Sequence, residues 1–510
     1  MKLYPTRDAV HLGLSGAAMV GAGIVSAEPS IVGWGGALLV GLAIARAATF
    51  ASVARIRAAG FEMVWGETER VRRVGQGEEV TLVAEVRNRD TLAAKYVGLR
   101  VIASDALDVT IDPPEGEVPA GGKLEVSVRV RGDRVGRHGL FGLSLEVRGA
   151  PGLFEVPLTF ANPFGVEVMP RPWATELRGP RGGRTRIAAI GGREGRARGE
   201  GSDLREIRDY VPGDAWKRIE RRASARKGKL LVREVEREER DIVWVVLDAS
   251  VELWAGRRGK APLDLAIEDA TALISRHARA GDAVGLSIIA GRELCRVEPE
   301  RGARHASELI EELAFTTATH DRERSDLEEH EVALRVLEHL RPLDPTALSL
   351  SRRDLDRISA RATANLARAP FSKVELPSGV TLRERRLRQY LAAYGVASPA
   401  RSEPEHAQTS KTLAKLLKEL STEKPRPTIV YVVGPQPASE EAATALTKLT
   451  RRGPAVRWLL SRFSPALEAQ EGDGVAARAV KEAALARVDA GHRQAQKRLR
   501  ALGVKVLRSR

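Results

Sequence analysis

Ile242-Val243-Trp244-Val245-Val246-Leu247-Asp248 is an unbroken apolar run that ends on a carboxylate. A run with no polar face predicts a strand buried on both sides, the habit of parallel sheets. Downstream, the pattern alternates. A helix is expected over 263–279, closed by Gly281-Asp282, then strands over 283–289 and, weakly, 294–297, and a helix over 304–313. The alternation resumes with a strand over 428–433, a helix near 440–450, a strand over 456–460, a long C-terminal helix and a strand over 504–507. Strand-helix alternation of this kind predicts a doubly wound α/β sheet over 241–510. Ligands of such sheets sit at the carboxyl ends of the strands, where Asp248 falls.

The rest of the chain differs in character. It has 510 residues, 43% hydrophobic and 29% charged, enough to bury a real core and to exclude global disorder. Its single cysteine, Cys295, excludes a disulfide scaffold and a thiolate zinc cage. Lying beside Leu294 and Val297 in a predicted strand, it reads as a small buried residue. The formal net charge of +15 leaves open a polyanionic partner or a merely solvated surface.

At the N-terminus, residues 9–27 carry no formal charge apart from a titratable His11, and residues 30–45 carry none. Glu28-Pro29 divides them. Each run approaches the roughly 17–25 residues of a spanning helix. Small residues recur every four positions, at Gly13, Ala17 and Gly21 and again at Gly33, Ala37, Gly41 and Ala45. That spacing predicts a closely packed transmembrane helical hairpin over 1–58. Lys2 and Arg7 precede the first run, Arg46, Arg55 and Arg57 follow the second, and the loop has no basic residue. Both ends are therefore expected in the cytoplasm, with the chain multi-pass in the inner (cytoplasmic) membrane and its soluble domains cytoplasmic. Val25-Ser26-Ala27 resembles a signal-peptide cleavage site, but Pro29 and the second apolar run argue against cleavage.

Residues 59–168 predict a β-sandwich. The stretch 124–131 alternates strictly and 80–87 loosely, and Asn88-Arg89-Asp90, Asp112-Pro113-Pro114 and Gly121-Gly122 interrupt at short intervals. Residues 169–200 form a basic Pro/Gly-rich connector. From Arg178 to Arg240 there are 19 Lys/Arg against 11 Asp/Glu, about half the net charge of the chain. A nucleic-acid interface would need stacking aromatics as well, and only Tyr210 and Trp216 are present.

Three linked blocks follow over 201–240. Arg205-Glu206-Ile207-Arg208-Asp209-Tyr210-Val211-Pro212-Gly213-Asp214 ends in a turn, since Pro fixes φ and Gly permits a left-handed residue. A short helix around 215–225, with its flanks, contains Arg218, Ile219, Ser224, Ala225 and Arg226, and a strand over 229–235 contains Arg233 and Glu234. In order and spacing these blocks resemble the signature of the domain of unknown function 58 family, with Glu220 where that family has Asp and Arg221 where it has Trp. The resemblance implies a membrane hairpin and β domain upstream and a von Willebrand factor A-like domain downstream.

Domains of that type often carry a metal-ion-dependent adhesion site, Asp-x-Ser-x-Ser, at the end of the first strand. Here the stretch reads Asp248-Ala249-Ser250-Val251-Glu252, with Glu252 in the last Ser position. A hydroxyl from Thr316, Thr317 or Thr319 could complete an oxygen set suited to Mg²⁺. Val432-Val433-Gly434-Pro435 lacks the acid usual after the fourth strand, so the site is degenerate. A metal-free scaffold is the favoured expectation, with Asp248, Ser250, Glu252 and Thr316 as the candidate ligands.

A helical insertion is expected at about 320–425, with helical apolar spacing at Val332, Ala333, Val336, Leu337 and Leu340, and again over 413–420. His320, His330 and His339 read as surface histidines. No phosphate-binding Gly-x-x-x-x-Gly-Lys, Gly-x-Ser-x-Gly or other catalytic motif occurs. The expected function is a non-catalytic membrane-anchored adaptor that presents its A-like domain to protein partners. The family resemblance implies a MoxR-type AAA+ ATPase as partner. A basic nucleic-acid-binding protein at the membrane surface and a metal-dependent hydrolase at Asp248 are the alternatives.

Overall fold

The computed structural model describes residues 3–149, 152–171, 204–214, 216–235, 241–371, 374–461 and 474–507. The expected connector lies outside these residues beyond Arg171. The chain divides into two compact units. One comprises Met1–Arg171, Val251–Asp264 and Glu311–Pro404, the other Pro172–Ser250, Leu265–Ile310 and Glu405–Arg510.

The first unit begins with helices Arg7–Ser26 and Pro29–Ala59. Thr6 caps the first by accepting from the Ala9 amide, and Ala27 ends it in the left-handed region. Both helices are long and apolar enough to cross a membrane, and only 17% and 11% of their most apolar windows are buried. Most of the expected four-residue stripe lies off the seam, although a Cβ on Gly13 would lie 3.4 Å from Leu42 and Ala45 is buried. A Cβ on Gly21, Gly33 or Gly41 would meet nothing within 4 Å, whereas one on Gly35 would come within 2.7 Å of the Gly16 carbonyl. On the first helix the buried positions are Ala9, Gly16 and Gly23, a heptad series. The reason is geometric: seven-residue steps drift only ~20° around a helix of 3.6 residues per turn, whereas four-residue steps rotate out of a contact within two turns.

Two sheets share the next core. Strands Phe61–Trp65, Glu79–Asn88, Lys123–Gly132 and Leu107–Asp112 form one; Ala94–Ala103, Gly136–Gly149 and Phe154–Met169 are the main strands of the other. All these pairings are antiparallel, and Val71–Gly75 joins Phe154–Met169 in parallel. The alternation of 124–131 has the expected consequence: Val126, Val128 and Val130 are fully buried beside Leu82, Ala84 and Val86.

Helices Glu329–Leu343, Leu355–Asn365 and Leu382–Tyr394 build a second core in this unit around Val336, Leu337, Leu340, Leu387 and Tyr390. Its polar centre is Glu384, which accepts from Arg388 at 2.8 Å, Arg322 at 3.1 Å and the Val380 amide at 2.9 Å. Burial alone would raise the Glu384 carboxyl, but these donors outweigh it and hold the group below its usual value. Of the three histidines expected at the surface only His330 is exposed. The His339 ring packs on Phe141 and Tyr394, with Nδ1 2.8 Å from the Tyr390 hydroxyl. Burial pushes His138, His320 and His339 down to about 4. A histidine held neutral in the fold and free to protonate when unfolded stabilises fully above its unfolded value of about 6.5. That contribution declines as pH falls from there towards about 4. The thermal midpoint of the first unit is therefore expected to drop between about pH 7 and about pH 4.5, measured by circular dichroism in detergent; a flat profile would contradict it.

The second unit contains a six-stranded sheet in the order Glu293–Glu300, Ala283–Ile289, Ile242–Asp248, Ile429–Gly434, Ala455–Leu460 and Lys505–Leu507. Every pairing is parallel except that of the Glu293–Glu300 edge. Cys295 sits on this edge strand and is half-buried, more open than a core cysteine. Helices His406–Leu420, Glu440–Arg451 and Val475–Ala501 cover the face that carries Trp244, Val246, Val430, Val432 and Trp458. Val243, Val245 and Leu247 are equally buried on the other face. Of the expected insertion, residues up to Pro404 belong to the first unit, whereas His406–Leu420 packs on this sheet. Arg296 fastens the end of that helix, through Glu419, and the segment after it, through Glu423, to the edge strand, each at 3.0 Å.

Candidate functional site

The first strand, Ile242–Asp248, pairs with Ala283–Ile289 on one side and Ile429–Gly434 on the other. The chain moves outward from it in both directions, so its carboxyl end is the topological switch point of the sheet. Asp248 stands there, 5% exposed. Its Oδ1 accepts from the Ser250 amide at 2.9 Å and the Ser250 hydroxyl at 2.5 Å. The Ser250 Oγ lies 2.9 Å from the Thr409 Oγ1, and Thr409 also donates to the Glu405 carbonyl at 3.1 Å. His406 brings Nδ1 to 3.8 Å from the second Asp248 oxygen and Nε2 to 3.0 Å from the Gln436 carbonyl.

Gly434 makes this arrangement possible. A Cβ there would come within 2.5 Å of the Asp248 Cβ. The position where the sequence lacks an acid is thus one where no side chain fits beside Asp248.

The expected ligands are divided between the two units. Asp248 and Ser250 lie together in the second unit, while Glu252 and Thr316 belong to the first. Glu252 falls in the short helical turn Val251–Trp254. The Thr316 hydroxyl donates to the Glu312 carbonyl at 3.3 Å, Thr317 to Val135 at 2.7 Å and Thr319 to Ser398 at 2.7 Å. These hydroxyls are engaged with backbone carbonyls of their own unit.

Thr409 and His406 are not marked by the sequence around Asp248, which they follow at long range. One signal exists for Thr409. It continues the buried stripe Leu413, Leu416 and Leu420 one turn upstream, a polar residue at a core position.

Asp248, Ser250 and Thr409 bring together one carboxylate and two hydroxyls, fewer charged oxygens than a site with two carboxylates, and both hydroxyls are already hydrogen-bonded to protein acceptors. Among the described residues no group of three His, Cys, Asp or Glu is placed to hold a metal. Titration calorimetry with Mg²⁺ at millimolar concentration is expected to give no saturable heat. A saturable signal abolished by Asp248→Ala would contradict this. The Ser250 hydroxyl is held by Asp248 and Thr409, and Ser250 is only 1% exposed.

The 204–235 segment forms a second ordered feature. Strands Leu204–Asp209 and Leu231–Val235 pair antiparallel, joined by the turn at Pro212-Gly213 and the helix Arg221–Lys227. Gly213 has φ 107°, as a turn requiring glycine predicts. Asp214 closes the turn by accepting from the Val211 amide at 3.0 Å and from both terminal nitrogens of Arg208 at 2.7 Å. Ser224 joins helix to strand, donating to the Glu220 carbonyl and accepting from the Leu231 amide, both at 2.8 Å. Signature residues Pro212, Gly213, Asp214 and Ser224 are thus parts of one small structural lock.

Comparison with known families takes in most of this segment and continues well beyond it. Residues 206–348 match the family model described as "Protein of unknown function DUF58". Uncharacterized proteins of Mycobacterium tuberculosis and Mycobacterium bovis are 29% identical over 116 residues, 23% of this chain. The aligned part spans 37% of the length of those relatives. Among solved structures, the ASH/PapD-like domain 7 of human CEP192 covers 22% of the chain at 14% identity and 87% of its own length, with a TM-score of 0.18. The cupredoxin domain of amoB from Nitrosocaldus yellowstonii covers 21% at 9% identity and 84% of its own length, with a TM-score of 0.15. Scores this low carry no conclusion about this chain.

Proposed function

We propose that this protein is a membrane-anchored, non-catalytic adaptor whose second unit is a von Willebrand A-like domain that engages protein partners. The observation that carries the anchor is the pair of apolar helices Arg7–Ser26 and Pro29–Ser52, which are overwhelmingly exposed. A helix belonging to a soluble core would bury its apolar face. The strand order and the buried Asp248–Ser250 pair at the switch point support the A-like assignment. The closed hydrogen bonding of Ser250 supports a scaffold role over hydrolysis.

In this account both chain ends lie in the cytoplasm and the soluble units work at the inner face of the membrane. Resemblance to the DUF58 family supplies the proposed partner, a MoxR-type AAA+ ATPase, which would provide the energy-consuming chemistry. The orientation is tested by a reporter fused after Gly60, expected on the cytoplasmic side; a periplasmic reporter contradicts it. The partnership is tested by mixing the full chain in nanodiscs with the purified ATPase of the same source. A saturable complex is expected, and none at micromolar concentrations counts against the proposal.

A further inference from the structure

The end of the 204–235 hairpin exposes a cluster of large apolar side chains. Trp216 is 74% exposed, Val211 55% and Leu230 45%. They belong to one place: the Tyr210 amide donates to the Leu230 carbonyl at 2.9 Å, Val211 is the next residue, and the Tyr210 and Trp216 rings are 6.1 Å apart. Around them the charge is one-sided. From Trp216 through Lys229 the chain has seven Lys/Arg and a single acid, Glu220. Asp214 neutralises Arg208 at 2.7 Å, and Asp209 holds Lys229 at 2.8 Å. Lys217, Arg221, Arg222, Arg226 and Lys227 are exposed.

An exposed tryptophan with two aliphatic neighbours and a cationic rim is the chemistry of an interfacial contact. The indole and aliphatic groups suit the headgroup boundary, and the cations suit anionic phosphates. We propose that this face docks on an anionic bilayer surface, holding the second unit against the membrane in which the N-terminal hairpin is anchored. The proposal rests on that anchoring but not on the identity of any protein partner. Tethering makes it physically economical, because a surface contact too weak to recruit a free protein suffices when the module is already confined near the bilayer. A nucleic acid fits less well. Its successive bases need several stacking platforms along a groove, and here only Tyr210 and Trp216 stand together.

The test uses the full chain in nanodiscs containing brominated lipid. The fluorescence of the wild type minus that of Trp216→Phe isolates Trp216 from the other tryptophans. In discs containing phosphatidylglycerol this difference signal is expected to be largely quenched, and in phosphatidylcholine discs to be unquenched. Raising salt to about 1 M, where the screening length shrinks to about 3 Å, is expected to restore it. Arg222→Glu with Lys227→Glu, both at exposed positions, is expected to abolish quenching while leaving the circular dichroism spectrum unchanged. A chain that enters the discs but shows no Trp216 quenching in anionic lipid overturns the inference. So does an oligonucleotide gel shift that is lost in the charge variant while Trp216 stays unquenched, which would assign the face to nucleic acid. A chain that fails to co-elute with the discs overturns the anchoring itself, a result separable from the other two.

Discussion

Glu384→Ala is expected to destabilise the first unit by about 3–5 kcal/mol, the cost of leaving a buried charge without its partner. Glu384 and Arg388 side chains are each 1% exposed. Arg388 also donates to the carbonyls of His320 and Leu327, so it cannot swing out to solvent without abandoning those as well. The substitution would remove the acceptor that balances the guanidinium and would release Arg322 and the Val380 amide. Thermal or urea unfolding in detergent, followed by limited proteolysis within 311–404, measures the effect. Replacing both partners, Glu384→Leu with Arg388→Met, is expected to recover only part of the loss, since it removes the unpaired charge but still takes these partners from the His320 and Leu327 carbonyls and the Val380 amide. If the single substitution shifted unfolding no more than an exposed control such as Arg304→Ala, the central place given to this pair would be wrong.

Gly434→Ala is expected to have the second large effect. The added methyl would lie 2.5 Å from the Asp248 Cβ, and both residues end adjacent central strands. Relief requires moving a strand whose residues are all buried or rotating Asp248 out of its bonds to Ser250. Overpacking of this type costs typically about 1–3 kcal/mol and occasionally more. The variant should unfold at lower temperature and bind a protein partner more weakly. Gly491→Ala, inside the helix Val475–Ala501 where a methyl meets nothing within 4 Å, is the control and should lower neither readout. Equal behaviour of the two variants would show that Asp248 is not held where the account requires.

The parts of this structure that are legible in sequence are those where one periodicity meets one environment. The apolar run ending at Asp248 corresponds to a doubly buried strand, and the strict alternation of 124–131 to a half-buried one. The weak strand at 294–297 is longer in the fold, Glu293–Glu300, because an edge strand needs no continuous apolar run. The helical hairpin is visible in sequence, but its seam is not. Small residues occur at so many positions that only the crossing geometry selects Gly16, Gly23 and Gly35. Strand Leu204–Asp209 is rich in charge and cannot be seen without its partner Leu231–Val235. In the candidate site Asp248 and Ser250 are local and legible. Thr409 and His406 are not, since chain-distant residues meet only through the packing of His406–Leu420 on the sheet. The buried histidines escape a sequence reading for a related reason: spacing around a helix says nothing about which neighbouring helix covers a face.

The most direct test of the adaptor account is purification of the tagged full chain from its native membranes in mild detergent, with quantitative mass spectrometry of what accompanies it. A MoxR-type AAA+ ATPase is predicted to be enriched over an unrelated membrane protein bearing the same tag. Absence of any AAA+ ATPase from the enriched set, with the chain itself recovered intact, would contradict the account.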